Sequence, residues 1–269
     1  MHDMWCLTGI CHHSLGCRHY ESRCGDCPFL RRPLRGPHDL SHRIWKRKRQ
    51  LYESASIHFV AVSRWLGDLA SRSSLLRHMP LSVIPNPHII TDFTPGGADS
   101  DVIAFCAARL DDPIKGLELA TEVFNRLADE GIRATVELAG EIRDKRRLDD
   151  IRLPHKWHGQ LGSEDMRALL TRAKVVLNSS HYENLPNILI EGLASGAVPV
   201  AFDHGGQSDI ISHLTNGYLA RYPDVDDLAR GLRWALKAEL SPHALHADAE
   251  ARFSAPAIAA RLLSLLQTD

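Results

Sequence analysis

The feature that most constrains this chain is an alternation that starts at residue 101. DVIAFCAARL (101–110) is a continuous apolar run, as expected for a strand covered on both faces. KGLELATEVFNRLADEG (115–131) follows, with helical spacing at Leu117, Ala120, Phe124 and Leu127 and Gly131 placed to close it. ATVELAG (134–140) predicts a second strand, and SEDMRALLTRA (163–173) a helix capped by Ser163 with acidic residues in its first turn. KVVLNSS (174–180) and VPVAFD (198–203) predict further strands, with PNILIEGLASG (186–196) as a helix between them. Strands alternating with helices of this length predict an α/β fold with a doubly wound parallel sheet.

The earlier residues are more broken. A helix is expected over 41–53, a strand over SIHFVAV (56–62), a helix capped by Ser63, and a short strand over LSVIPNP (81–87). Charge separates the two regions. Residues 1–95 hold 13 Lys/Arg against 7 Asp/Glu, and residues 96–269 hold 19 against 26, so a net +6 precedes a net −7. The Pro/Gly/Asp-rich segment TDFTPGGADSD (91–101) marks the expected boundary, giving domains 1–95 and 96–269. No apolar run approaches the ~18–20 residues of a bilayer span, and the start lacks a basic-then-apolar leader pattern. A cytoplasmic protein is the expectation.

Two segments carry chemistry. In YENLPNILIEGLASGAVPVAFDHGG (182–206), Glu183 falls in a loop before a helix and Glu191 in its second turn. A helix N-terminus after a parallel strand attracts anions, and a carboxylate in that crevice accepts hydrogen bonds from sugar or ribose hydroxyls. Spacing alone equally allows one glutamate to cap the helix and the other to be solvated. In ARLDDPIKG (108–116), Arg109 and Lys115 flank the strand end, where two cations suit a diphosphate. Ordinary surface charges beside Asp111 and Asp112 are the other reading.

Taken together and in this order, these segments resemble glycosyltransferase family 4, whose members are retaining, use nucleotide sugars and have the GT-B fold. The R…K-G pair and E-x7-E motif match Arg109, Lys115, Gly116, Glu183 and Glu191, and the likeness extends through SRWLGDLA and VIPNP. The resemblance implies that Arg109 and Lys115 contact the diphosphate, Glu183 approaches the donor sugar, and Glu191 takes the ribose hydroxyls. Asn184, Leu185, Pro186 and Asn187 would shape the loop at the phosphates and sugar. The N-terminal segment resembles a subset acting in exopolysaccharide and colanic-acid-type synthesis, in which an H-D-x-W motif ends a strand and its histidine faces the donor sugar. That role maps to His2. The resemblance also implies further strands ahead of this motif. The chain is therefore expected to pair a complete Rossmann-like donor domain with an incomplete Rossmann-like acceptor-side domain.

The Cys-rich segment 6–27 contains Cys11, Cys17, Cys24 and Cys27, with C-x5-C-x6-C-x2-C spacing. Four thiolates suit a structural zinc site, and four free thiols are the alternative. Cys106, in an apolar strand, reads as a core residue. The basic helix RIWKRKRQLY (43–52) has three readings: a solvated face, a peripheral contact with an anionic membrane surface, and nucleic acid. Nucleic acid is the weakest, because no base-reading motif accompanies the patch. The expected function is transfer of a sugar from a nucleotide-diphosphate donor to a glycan or lipid-linked acceptor, with no cofactor required. A catalytically silent nucleotide-sugar-binding module is the alternative. A glycoside hydrolase using Glu183 and Glu191 ranks below both, since it needs no Arg/Lys pair.

Overall fold

The computed structural model describes residues 1–97 and 100–267. Residues 98 and 99 of the expected 91–101 boundary segment lie outside the described residues. The chain forms two compact units, Met1–Pro85 and Asn86–Asp269. The division thus falls ahead of the segment where charge changes sign. The reason is local: His88 exchanges backbone hydrogen bonds with Phe253 and Ala255, and Ile90 is buried, so residues 86–95 belong with the later unit.

In the first unit, α1 (Leu40–Ser54) starts where the Asp39 carboxylate accepts from His42 N at 3.1 Å. Ser41, Trp45, Lys48 and Tyr52 recur at helical spacing and form its buried stripe. β1 (Phe59–Ala61) and β2 (Leu81–Val83) pair in parallel around α2 (Arg64–Arg72), whose first turn is capped by Ser63 as its sequence predicts. The H-D-x-W segment does not end a strand among the described residues. Instead Asp3 caps a 3₁₀ turn, Met4–Leu7, accepting from Trp5 N at 2.7 Å.

The second unit is built on a six-stranded sheet whose paired neighbours all run parallel. Its strands are β3 (Val102–Arg109), β4 (Thr135–Glu141), β5 (His155–Trp157), β6 (Val175–Asn178), β7 (Val198–Phe202) and β8 (Tyr218–Ala220). Their order is β5-β4-β3-β6-β7-β8. The crossovers include α3 (Leu117–Asp129), the short α4 (Arg146–Asp149), α5 (Ser163–Arg172) and α6 (Asn187–Ala194); α7 (Val225–Lys237), α8 (Pro242–Phe253) and α9 (Ala255–Leu266) follow. β3, β6 and β7 are nearly all apolar because both faces are covered, as the continuous runs require. Phe124 of α3 is fully buried and meets Phe105 edge to face at 6.4 Å; burying such a ring contributes about 3 kcal/mol.

One helix start differs from expectation. Gly162, not Ser163, occupies the N-cap of α5, so Ser163 is its first helical residue and Glu164 and Asp165 supply the favourable charge. Not foreseen from the sequence are β5 and β8, each three residues long, and the three helices after residue 220. The strand order reverses between β3 and β6, so the loops leaving their carboxyl ends diverge there and open a crevice.

Candidate functional site

The crevice is assembled from two loops. After β3, a 3₁₀ turn (Pro113–Lys115) is capped by Asp112, which accepts from Ile114 N at 3.0 Å. Gly116 then takes φ +67°, and a Cβ there would stand 2.2 Å from the Ser179 carbonyl, so only glycine fits. Ser179, just past β6, donates through Oγ to the Gly116 carbonyl at 2.8 Å, and His181 N donates to Ile114 O at 2.8 Å. These bonds lock the two loops side by side. As a result Lys115 Nζ reaches Glu183 Oε1 at 2.7 Å, and Ser180 Oγ donates to the same oxygen at 2.9 Å. A second glycine holds the loop from the other side. Gly205, at φ +104°, leaves no room for a Cβ beside the Glu183 carbonyl, which accepts from Gly206 N at 3.0 Å.

Lys115, Asn178, Ser180, Glu183, Pro186 and Asn187 line a cavity of about 320 Å³. α6 begins at its edge. Pro186 occupies the N-cap and offers no side-chain acceptor, so the first N–H groups of the helix keep their capacity for an outside acceptor. A lysine ammonium, an uncapped helix N-terminus and a carboxylate with a hydroxyl together suit a ligand that is anionic at one end and rich in hydroxyls at the other.

Glu191, one helical turn beyond Asn187 on α6, lines a separate cavity of about 440 Å³. Asn187 borders both cavities. Burial pushes the Glu191 carboxyl above its ordinary pKa, and its carboxylate has no hydrogen-bond or ion-pair partner among the described residues. His88, Asp92 and Arg167 share this cavity; sequence reasoning missed all three. Burial lowers the pKa of His88, and its buried Nε2 has no hydrogen-bond partner among the described residues. Its only signal in the sequence was its place just after VIPNP. A half-buried carboxylate without a partner among the described residues is costly, and a ligand hydroxyl would relieve that cost.

The guanidinium of Arg109 is engaged locally: it donates to Asp112 Oδ2 at 2.9 Å and lies 3.6 Å from Asp111. Leu185, buried in the Glu183 loop, also lines the 320 Å³ cavity, and its neighbour Asn184 is buried as well. His2 is exposed in the first unit, beside Asp3, whose other oxygen meets His12 Nδ1 at 2.5 Å. Cys11, Cys17, Cys24 and Cys27 are free thiols, and among the described residues no group of three or more His, Cys, Asp or Glu is arranged to hold a metal ion. Burial, then the neighbouring thiols, push Cys11 up to about 11, and burial pushes Cys24 up to about 11 although Gly9 N donates to its sulfur. Burial thus favours the protonated thiol at Cys11 and Cys24. Cys106 is buried on β3, as expected of a core residue. No helix among the described residues is long and apolar enough to cross a membrane.

Comparison with known proteins extends this picture. Residues 91–252 match the family described as Glycosyl transferases group 1, which is more than half of the chain. No curated protein matches the sequence. Among solved structures, a mutant of S. aureus TarM in complex with fondaparinux, alpha-GlcNAc-glycerol and UDP matches at a TM-score of 0.70 and 18% identity, covering 83% of this chain and 46% of that one. Anabaena HepE in complex with UDP and glucose matches at 0.69 and 17%, covering 84% and 67%. Sucrose-phosphate synthase of Thermosynechococcus elongatus matches at 0.68 and 18%, covering 83% and 61%. The chain thus spans roughly half to two thirds of the length of these structures. The parallel sheets and these likenesses establish a Rossmann-like fold of the GT-B type.

Proposed function

This chain belongs to the glycosyl transferases group 1 family, and on that premise we propose that it is a retaining glycosyltransferase of family 4, of the exopolysaccharide type. The donor is a nucleotide-diphosphate sugar and the acceptor a glycan or a lipid-linked glycan. The observation that carries the reading is the Lys115–Glu183 pair, 2.7 Å apart at the sheet's switch point and beside the uncapped start of α6. The complexes of TarM and HepE with UDP support a uridine nucleotide as the first donor base to test.

In this reading the diphosphate displaces Glu183 from Lys115 and takes the ammonium and the N–H groups of Asn187 and Ile188. Their charge stabilises the diphosphate as the bond from the anomeric carbon to its oxygen breaks. The acceptor hydroxyl attacks on the same face, and its proton passes to the departing phosphate oxygen. Glu183, released from its ion pair, accepts hydrogen bonds from the sugar hydroxyls. Glu191 accepts from the ribose hydroxyls in the adjoining cavity, with Asn187 between the two. Arg109 joins the diphosphate by exchanging Asp112 for phosphate oxygen, and His2 approaches the donor sugar.

The test combines calorimetry with UDP and other nucleoside diphosphates and a transfer or donor-hydrolysis assay on the purified chain. Nucleotide binding with turnover, both lost in Lys115→Ala, is the expected result. Activity on a simple glycoside without nucleotide, or no binding of any nucleoside diphosphate, would sink the reading. One observation favours a second reading, a catalytically silent nucleotide-sugar-binding module: Arg109 is committed to Asp111 and Asp112. Binding without transfer or hydrolysis decides for it.

A further inference from the structure

Segment 28–51 of the first unit holds eight Lys/Arg and one acidic residue, Asp39. That one carboxylate is already used internally. It accepts from Cys27 N at 2.7 Å, from Ser41 Oγ at 2.6 Å and from His42 N, which fixes the loop before α1 against the helix start. Arg35 is answered by Asp26 at 2.8 Å and Arg49 by Glu53 at 2.7 Å, while Lys48 is buried against the carbonyls of Trp5, Thr8 and Gly9. Five cations are left: Arg31, Arg32, Arg43, Lys46 and Arg47. All five are exposed, and none has an ion-pair partner among the described residues.

Large apolar side chains stand among them. Phe29 is 49% exposed, Leu34 67%, Leu40 54% and Leu51 57%. On α1 the residues 40, 44, 47 and 51 repeat the spacing of the buried stripe 41, 45, 48 and 52, one residue earlier, so they form an outward stripe about 100° round the helix. That stripe reads Leu40, Ile44, Arg47 and Leu51, with Arg43 along its edge and Lys46 further round the exposed side. The loop bearing Phe29, Arg31, Arg32 and Leu34 is closed at its base by the hydrogen bond from Asp26 N to Gly36 O at 2.7 Å, and is joined to the α1 N-cap by the bonds from Asp39 N to Gly36 O and from Cys27 N to the Asp39 carboxylate. Two observations agree: uncompensated positive charge, and apolar side chains interleaved with it on one helix and its preceding loop.

We propose that this surface, formed by the 29–34 loop and the outward side of α1, docks the protein on an anionic lipid bilayer. The leucines and Phe29 enter the headgroup boundary, and the five cations meet the negative surface around them. Charge complementarity selects this occupant, because nothing in the segment supplies an anion and an acidic lipid surface supplies many. An apolar partner would leave five charges unanswered, and a rigid polyanion would leave the leucines in water. The proposal stands apart from the catalytic reading, and its test does not use nucleotide or turnover.

The experiment is co-sedimentation of the full chain with phosphatidylcholine vesicles prepared with and without phosphatidylserine, across a range of salt. Binding only to the vesicles that contain phosphatidylserine is expected, weakening as salt rises. At about 1 kcal/mol per cation, the charge reversal Arg43→Glu with Arg47→Glu should lower that affinity at least tenfold. Leu40→Ser with Leu51→Ser should lower it as well and leave a greater salt dependence. All four side chains are exposed, so an unchanged melting temperature serves as the folding control. Equal binding to both vesicle types, binding to neither, or an undiminished affinity in the charge-reversed chain overturns the proposal. So does tighter binding to duplex DNA than to the anionic vesicles at the same salt, which would mark a general polyanion surface.

Discussion

Glu183 and Glu191 come from one short motif, yet they lie in two regions with opposite electrostatics. Glu183 sits in a loop, where Lys115 and the Ser180 hydroxyl converge on a single oxygen. Glu191 sits on α6 in the next cavity, where burial raises its pKa and no partner among the described residues answers its charge. The first carboxylate is satisfied internally and must give up a partner before it can serve a ligand. The second is unsatisfied and gains from a ligand at once. The pair therefore teaches a division of labour: Glu191 favours binding from the start, whereas Glu183 and Lys115 become available only when an anion replaces the carboxylate.

The largest expected effect breaks the first region. Lys115→Ala removes the cation that the leaving diphosphate would use, and it strands Glu183 in a partly buried loop. Removing one such electrostatic stabiliser typically costs about 10²–10³ in turnover. Steady-state kcat/KM with a nucleotide-sugar donor measures it. A loss below about tenfold would mean that Lys115 has no role in the chemistry.

The second region yields a smaller effect that depends on pH. Glu191→Ala should weaken binding of a nucleoside diphosphate by about 10–100-fold, the usual worth of a hydrogen bond to a charged group. Since only the ionised carboxylate accepts from two hydroxyls, affinity in the native chain should fall as pH drops through the raised pKa of Glu191, and Glu191→Gln should flatten that profile in calorimetry. Stability moves the other way. A carboxyl whose folded pKa lies above its unfolded value binds its proton more tightly when folded, so the native chain loses stability as pH rises through that window. Glu191→Gln should therefore raise the melting temperature more at about pH 7 than at about pH 4. An equal gain at both would show that the Glu191 charge carries no cost.

A backbone test of similar size asks whether the loops must stay in register. Gly116→Ala places a Cβ against the Ser179 carbonyl in a left-handed conformation, and it should destabilise the protein by about 2–3 kcal/mol. Thermal unfolding reads this directly. Loss of nucleotide binding at a temperature where Gly116→Ala is still folded would locate the effect in the Lys115–Glu183 geometry.

The contrast between the two glutamates also explains what was legible in the sequence. Lys115, Gly116 and Glu183 come together as their motifs imply, because each lies within a few residues of a strand end and the βα pattern fixes where strand ends go. The second cavity was not legible. Its His88, Asp92, Arg167 and Glu191 come from three separate stretches of chain, and no local spacing connects them. Arg109 was legible as a strand-end cation but not in its orientation, which its neighbours Asp111 and Asp112 determine. Cysteine spacing suggested ligands for a metal, but three-dimensional packing decides whether donors are arranged around an ion: among the described residues no group of three or more is, and burial favours the protonated thiol at Cys11 and Cys24. The strands β5 and β8 escaped notice because three residues are too few to show a period.

The smallest effect separates pairing from orientation within the first region. Ser180 Oγ donates to the oxygen of Glu183 that also holds Lys115, so Ser180→Ala removes one of two donors and leaves the ion pair. Because the Lys115 ammonium stays on the same oxygen, loss of this one neutral donor should cost only about 1 kcal/mol, hence roughly a fivefold change. The direction depends on the state in which that bond matters. If the hydroxyl mainly holds Glu183 against Lys115 in the empty site, its loss eases displacement, and nucleoside diphosphate affinity rises in Ser180→Ala. If it orients Glu183 toward a sugar, diphosphate affinity is unchanged and turnover of the intact donor falls. The internal satisfaction of Glu183 argues for the first outcome with the bare diphosphate, and calorimetry beside donor kinetics on the same variant distinguishes the two.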